Sequence, residues 1–295
     1  MLDSPKTYRL SWAGYDMEFG HRTCIMGVVN VTPDSFSDGG KFFARDAAAA
    51  QGQKLAADGA DILDIGGEST RPFSDPVSVD EEIERVIPVI EKLADHLTIP
   101  ISIDTMKAEV ARRAIAAGAS MINDVSALRF DPDLGGVARE FGTPVVLMHM
   151  LGNPKTMQDS PTYDNLIADI SDFLKDAIAR AQKQGISRSK LIVDPGIGFG
   201  KTVSHNLLLI RHLQSFASLG VPILIGPSRK AFIRKLLKDD HNDDIPPDLP
   251  IVETGSQAAV AAAALCGAHI VRVHDVANTR ATIRILDAIR AAQDN

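Results

Sequence analysis

One pattern recurs along the chain: an alanine-rich helical stretch stops at a glycine, and a short β-branched run follows within a few residues. It appears as AADGADILDIGG, AIAAGASMINDVS, AREFGTPVVLMHM, AQKQGISRSKLIVDPG, SLGVPILIGPSR and LCGAHIVRVHD. Glycine in that place suits the left-handed turn that ends a helix, and the apolar run after it has the length of a buried strand. With TCIMGVVN near the start and IPISIDT before the middle, about eight strands are expected, each trailed by a helix of roughly ten residues or more. Eight alternations in 295 residues predict an α/β fold, a single-domain (β/α)8 TIM barrel. An open doubly wound sheet is the alternative, because counting units does not prove closure. Within residues 1–23, TYRLSWAGYDMEFG is expected to form a short hairpin closing the barrel's N-terminal end, with the barrel itself over 24–295.

Composition narrows the partners. A hydrophobic share of 45% can bury a large core, while a net charge of −7 with no block of Lys or Arg lacks the footprint of a nucleic-acid binder. No apolar run approaches the roughly 18 residues of a membrane span, and the first residues resemble neither a signal nor a transit peptide, so a cytoplasmic protein is expected. Cys24 and Cys266 sit in apolar surroundings without a companion Cys or His at ligand spacing. They read as core thiols of a reducing compartment. An anionic ligand would need a local cationic cluster.

Barrel enzymes build their sites at the C-terminal ends of the strands, so polar residues ending apolar runs are the candidates. The chain supplies Asn30 after CIMGVV, Asp64 and Glu68 around LDIGGE, Asp104 after ISI, Asn123 after MI, Asp194 after LIV, Ser228 after ILIGP, and Arg272 and His274 in HIVRVHD. One or two of these could be helix caps; so many together point to a site. VDPGIGFGKT ends in Lys-Thr as a phosphate loop does, yet the position of that loop's first glycine holds Pro195, which has no N–H to donate. Asp194 beside it would repel phosphate. The sequence also lacks H-x-H and H-x-x-H pairs for a hydrolytic zinc site and a G-x-S-x-G elbow for a serine nucleophile. Lys230 follows Arg229 in a polar loop, which favours an electrostatic lysine over a Schiff-base one.

Two groups of side chains remain. Asp104, Asn123 and Asp194 can read the edge of a flat heterocycle bearing ring N–H and amino donors, since a carboxylate opposite two parallel N–H groups forms a strong bidentate pair. Arg71, Arg272, His274, Asn30 and Lys230 form the cationic and amide cluster, suited to a phosphate or pyrophosphate with a divalent ion helped by the Asn30 oxygen. The expected ligand is a planar, donor-rich ring on a phosphorylated tail. NVTPDSFSDGGKFF and GGESTRPFSDPVS flank this rim as glycine- and proline-rich loops, and their Phe36 and Pro72 could meet an aromatic substrate.

MGVVNVTPDSFSDGG, DIGGESTRP, ISIDT, MINDVS, VDPGIGFGKT, SRKAF and VRVHDV follow one another in the order of a known family: the chain, from about Thr23 to Ala291, resembles the dihydropteroate synthases of folate biosynthesis. The resemblance implies a (β/α)8 transferase, commonly a homodimer, that joins p-aminobenzoate to 6-hydroxymethyl-7,8-dihydropterin pyrophosphate with Mg2+ and releases pyrophosphate. It further implies that Asp104, Asn123, Asp194 and Lys230 grip the pterin, Met148 and Phe199 line its slot, and Arg272 stacks on the ring and reaches phosphate. Asn30 would bind Mg2+, and Arg71 and His274 would hold the pyrophosphate. Thr70, Pro72, Phe36 and Ser228 would border the p-aminobenzoate pocket, where sulfonamides compete. The reaction implied is dissociative, with the two loops excluding water. A corrinoid methyltransferase using methyltetrahydrofolate and a non-catalytic pterin-binding paralogue are the rival readings. KDDHNDDIPPDLP reads as an acidic surface insertion without an assigned role.

Overall fold

The computed structural model describes residues 5–32, 40–69, 75–238 and 244–292. A two-stranded hairpin, β1 (Tyr8–Trp12) and β2 (Tyr15–Phe19), comes first and turns through Ala13 and Gly14, both at positive φ. Eight parallel strands then follow: β3 (Cys24–Asn30), β4 (Ile62–Gly66), β5 (Ile101–Asp104), β6 (Met121–Asp124), β7 (Val145–Met148), β8 (Leu191–Asp194), β9 (Leu224–Ile225) and β10 (Ile270–Val273). Their order is β8-β7-β6-β5-β4-β3-β10-β9, and a parallel bridge from Val193 to Ile223 joins β8 to β9. That bridge closes the ring. The fold is therefore the barrel, not the open sheet.

The helices on its outside are α1 (Gly40–Asp58), α2 (Val79–Ala94), α3 (Ala108–Ala116), α4 (Leu134–Phe141), α5 (Leu166–Lys183), α6 (Val203–Arg211), α7 (Ala231–Leu237), α8 (Pro250–Leu265) and α9 (Val276–Ala291). Helix α2 illustrates the local logic. Ser78 caps it by accepting from the Glu81 N–H at 3.2 Å, three acids occupy its first turn, and Val86, Val89, Ile90 and Leu93 form one buried stripe. The six glycines of the recurring pattern, Gly59, Gly118, Gly142, Gly185, Gly220 and Gly267, all lie at positive φ. Five of them follow α-helices, and Gly220 caps the 3-10 helix Leu213–Leu219, each where the chain must reverse into the next strand.

Strand alternation produces two cores. Leu63, Ile65, Ile101, Ile103, Val145, Leu147, Leu191 and Val193 face outward into the sheet–helix layer. Their neighbours face the barrel axis, where Cys24, Met26, Ile62, Met121, Val146, Ile192, Leu224 and Ile270 fill the N-terminal half. Leu10, Trp12 and Phe19 of the hairpin pack onto that inner cluster, so β1 and β2 plug the barrel floor. One residue pair further along the strands, the lining changes from hydrocarbon to Asp64, Asp104, Asn123, Asp194 and Arg272. The C-terminal mouth is thus polar above an apolar floor, which points to where chemistry can occur.

Candidate active site

Strand register brings two acids, from the neighbouring strands β4 and β5, to one arginine. Arg272, on β10, donates from Nε to Asp64 Oδ2 at 2.6 Å and from Nη2 to Asp104 Oδ2 at 2.9 Å. Asn123, on β6, donates from Nδ2 to the same Asp64 oxygen at 2.9 Å. Four side chains from β4, β5, β6 and β10 are therefore one hydrogen-bonded unit. Burial is the largest influence on Asp104 and pushes its carboxyl up to about 7, against the pull of Arg272 and with the repulsion of Asp64. Arg272, held by Asp64 and Asp104, stays charged despite being buried, its pKa raised by these carboxylates.

Asp194 ends β8 because the chain turns back there. Gly196 donates its N–H to Asp194 Oδ1 at 2.7 Å and sits at φ +74°, where a Cβ would lie 1.9 Å from the His149 carbonyl oxygen. Only glycine fits so close to β7. Gly196 takes only one of the two oxygens, and burial raises this carboxyl to about 6. The loop continues to Phe199, whose ring lies 4.3 Å from Lys230 Nζ, a cation–π contact that also places the lysine in the field of Asp194 and Asp104. Met148, Met150, Met157, Val125 and Phe199 form an apolar cluster at the same end of the barrel. A flat ring would find acids along its edge and thioethers on its face.

Lys201 was open to a phosphate-loop reading, and the structure gives it different work. It is 4% exposed, donates to the Phe199 carbonyl at 2.9 Å and meets His149 Nδ1 at 3.0 Å. Burial lowers its pKa to about 7 and that of His149 to about 2, so the imidazole is neutral and accepts from the ammonium. The lysine ties the glycine-rich loop to β7 and adds positive potential near Asp194. Neither Lys201 nor His149 was foreseen as a site residue; the Lys-Thr ending drew attention to phosphate, and nothing local marks a lysine that turns inward.

After β9 and β10, next around the ring from β8, Ser228 Oγ lies 3.0 Å from His274 Nδ1 and accepts from the His274 N–H at 3.3 Å. Asn30 ends β3 beside Gly66, which in turn pairs with Asp104. Glu68 does not join the acids: it binds Lys107 at 2.7 Å, and Lys107 also reaches buried Glu82 at 2.6 Å. Arg272 differs from expectation in its company, being bound to the acids before any phosphate arrives. Phe36, Thr70, Arg71 and Pro72 lie outside the described residues. Among the described residues no group of three or more His, Cys, Asp or Glu is arranged to hold a metal ion, and no helix is long and apolar enough to cross a membrane.

The comparisons agree with this geometry. The profile of the family described as pterin binding enzyme matches residues 26–274. A dihydropteroate synthase of Synechocystis is 45% identical over 272 residues, covering 92% of each chain. A Xanthomonas albilineans dihydropteroate synthase solved with 4-aminobenzoic acid superposes with a TM-score of 0.88 at 46% identity, covering 99% of this chain and 100% of that one. The same organism's enzyme in complex with 7,8-dihydropteroate superposes at 0.85 with 44% identity over 97% of this chain and 100% of that chain. With a polar barrel mouth built from Asp64, Asp104, Asn123, Asp194 and Arg272 and relatives of this similarity over nearly its whole length, the chain belongs to the pterin-binding enzyme family.

Proposed function

We propose that the protein performs the dihydropteroate synthase reaction, condensing p-aminobenzoate with 6-hydroxymethyl-7,8-dihydropterin pyrophosphate to give 7,8-dihydropteroate and pyrophosphate. The observation that carries this reading is the joined set Asp104–Arg272–Asp64–Asn123 facing Asp194 and Lys230 at one end of the barrel. The Xanthomonas albilineans relative was solved with 4-aminobenzoic acid and again with 7,8-dihydropteroate, a substrate and the product of this reaction.

Asp194, with one oxygen committed to Gly196, offers the other to the amino and ring N–H donors of the pterin, while Asp104 and Asn123 take the far edge and Lys230 the ring oxygen. Met148 and Phe199 line its slot, and Arg272 stacks against the ring. In the reaction, the bond between the pterin methylene carbon and the pyrophosphate oxygen breaks first, its electron pair leaving with pyrophosphate. Anionic Asp104 and Asp194 stabilise the cationic ring that results. The amine nitrogen of p-aminobenzoate then bonds to the methylene carbon and releases a proton. Ser228, Phe36, Thr70 and Pro72 border that substrate's pocket, the place where a sulfonamide would compete. Arg71 and His274 hold the departing pyrophosphate.

Mg2+ fits here as a companion of pyrophosphate. Asn30, at the end of β3, would hold the ion through its neutral side-chain oxygen, and because magnesium keeps several waters and binds substrate phosphates, a cluster of protein carboxylates would not be required. When bound, the ion would neutralise charge on the leaving group. The protein is assigned to the cytoplasm, in keeping with unpaired Cys24 and Cys266. It is also assigned a homodimeric state, supported by exposed Leu207 and Leu236 lining an apolar groove of about 400 Å³ between α6, α7 and α8.

The test is condensation by the purified protein with both substrates and Mg2+, following dihydropteroate and pyrophosphate together. Equimolar formation of the two is expected. Pterin binding without either product would make this a non-catalytic pterin-binding protein.

A further inference from the structure

Asp64 has no part in the reading above beyond its contacts, and those contacts are unusual. It is fully buried on β4, and a single oxygen, Oδ2, accepts from both Arg272 Nε at 2.6 Å and Asn123 Nδ2 at 2.9 Å. Its Oδ1 has no hydrogen-bond partner among the described residues. One step down the same strand, Ile62 belongs to the apolar floor. A carboxylate buried there, with one oxygen unpaired, costs more than a hydrocarbon of similar size would, so packing does not account for it.

The contacts suggest what the acid does. Arg272 is the only cation hydrogen-bonded to either acid among the described residues, and it divides its donors between them. Without Asp64 its charge would fall wholly on Asp104, whose acceptor sites would then be drawn to the guanidinium and away from a ligand. Asp64 also sets the amide of Asn123, because an ionised carboxylate can only accept. Asn123 must point an N–H at it and keep its own oxygen for something else. We propose that Asp64 is a positioning residue for ring recognition: it anchors Arg272 and Asn123 through one oxygen and takes up the arginine's charge, which leaves Asp104 to accept from the pterin. This rests on the reading of the mouth as a pterin site.

The role has a pH signature that a purely structural acid would lack. The charged groups facing Asp104 are Arg272 on β10, Asp64 on β4, Glu82 on α2 and Lys230 at the start of α7. Asp64 and Glu82 raise the Asp104 pKa, as burial does, while Arg272 and Lys230 lower it. In Asp64→Asn one upward push is gone and Arg272 moves closer to Asp104, so Asp104 ionises at lower pH. Loss of ring binding on acidification then moves to lower pH, until Asp194 at about 6 sets the limit.

The experiment is calorimetric titration with 6-hydroxymethyl-7,8-dihydropterin from pH 5.5 to 8.5 on wild type, Asp64→Asn and Asp64→Glu, with KM for p-aminobenzoate measured alongside. At pH 8 Asp64→Asn is expected to bind the ring about 10- to 100-fold more weakly, the worth of a hydrogen bond to a charged group. Its acid limb should shift to lower pH, with KM for p-aminobenzoate unchanged. Asp64→Glu keeps the charge and displaces it, so affinity should fall while the limb stays. If Asp64→Asn does not fold, Asp64→Glu decides: wild-type affinity in it overturns the proposal. Wild-type affinity and limb in Asp64→Asn would overturn it equally, as would parallel losses for both substrates. A wild-type protein that binds no pterin at any pH refutes instead the reading of the site on which the proposal stands.

Discussion

Asp194→Asn should make the protein more stable and less able to bind pterin, and the structure gives a magnitude. Burial raises this carboxyl from an ordinary aspartate's 3.8 to about 6. The sign follows from where the protons are. Between about pH 4 and pH 6 the folded protein holds this proton more tightly than the unfolded chain, so wild type loses stability relative to a neutral side chain as pH rises through that window. About two pKa units correspond to about 3 kcal/mol at pH 8, roughly half of that at pH 5 and little near pH 4. For a chain of 295 residues this amounts to about 5 °C in Tm. Asparagine keeps the shape and can still accept from Gly196. Calorimetric scans of both proteins at pH 4, 5 and 8, beside pterin titrations, provide the measurement. A variant no more stable at pH 8, or a stability gap that does not change with pH, would refute the reasoning that burial of this charge is a cost borne for function.

Three further outcomes are expected. Gly196→Ala would drive a methyl group into the His149 carbonyl at a positive φ, so it should destabilise the protein by about 3 kcal/mol or more in urea unfolding and weaken pterin binding with it. Trp12→Ala empties part of the barrel floor, where the indole is 5% exposed, and should cost about 3–5 kcal/mol in the same assay without changing KM for either substrate. Leu236→Arg, on the apolar groove between α7 and α8, should convert dimers to monomers in sedimentation velocity; a monomeric wild type would contradict the assigned oligomeric state.

Much of the scaffold was legible because each unit announces itself locally. A helix that ends at a glycine in the left-handed region, followed by a run buried on both faces, needs no distant information, and all six glycines of the pattern have that conformation. The shortness of β9 was also written locally, since Pro222 and Pro227 bracket it. Closure was not legible: it depends on the bridge from Val193 to Ile223, a long-range pairing. Strand ends pointed to Asp104, Asn123, Asp194 and Arg272, which the structure gathers at one end of the barrel, because alternation and the barrel rule act residue by residue. Partnerships were hidden. Nothing in HIVRVHD says that Arg272 will meet Asp64, 208 residues earlier, or that His274 will meet Ser228. Lys201 shows the same limit, since a lysine's direction is set by the packing around it and not by its neighbours in sequence.

The central claim is that the acids and amide at the barrel mouth read a pterin edge under Arg272. A crystal structure with 6-hydroxymethylpterin bound tests it most directly. The account predicts the ring between Phe199 and Arg272, with Asp194, Asp104 and Asn123 each within hydrogen-bond distance of its nitrogens. A ring seated elsewhere, or one that leaves Asp104 and Asp194 untouched, would contradict it.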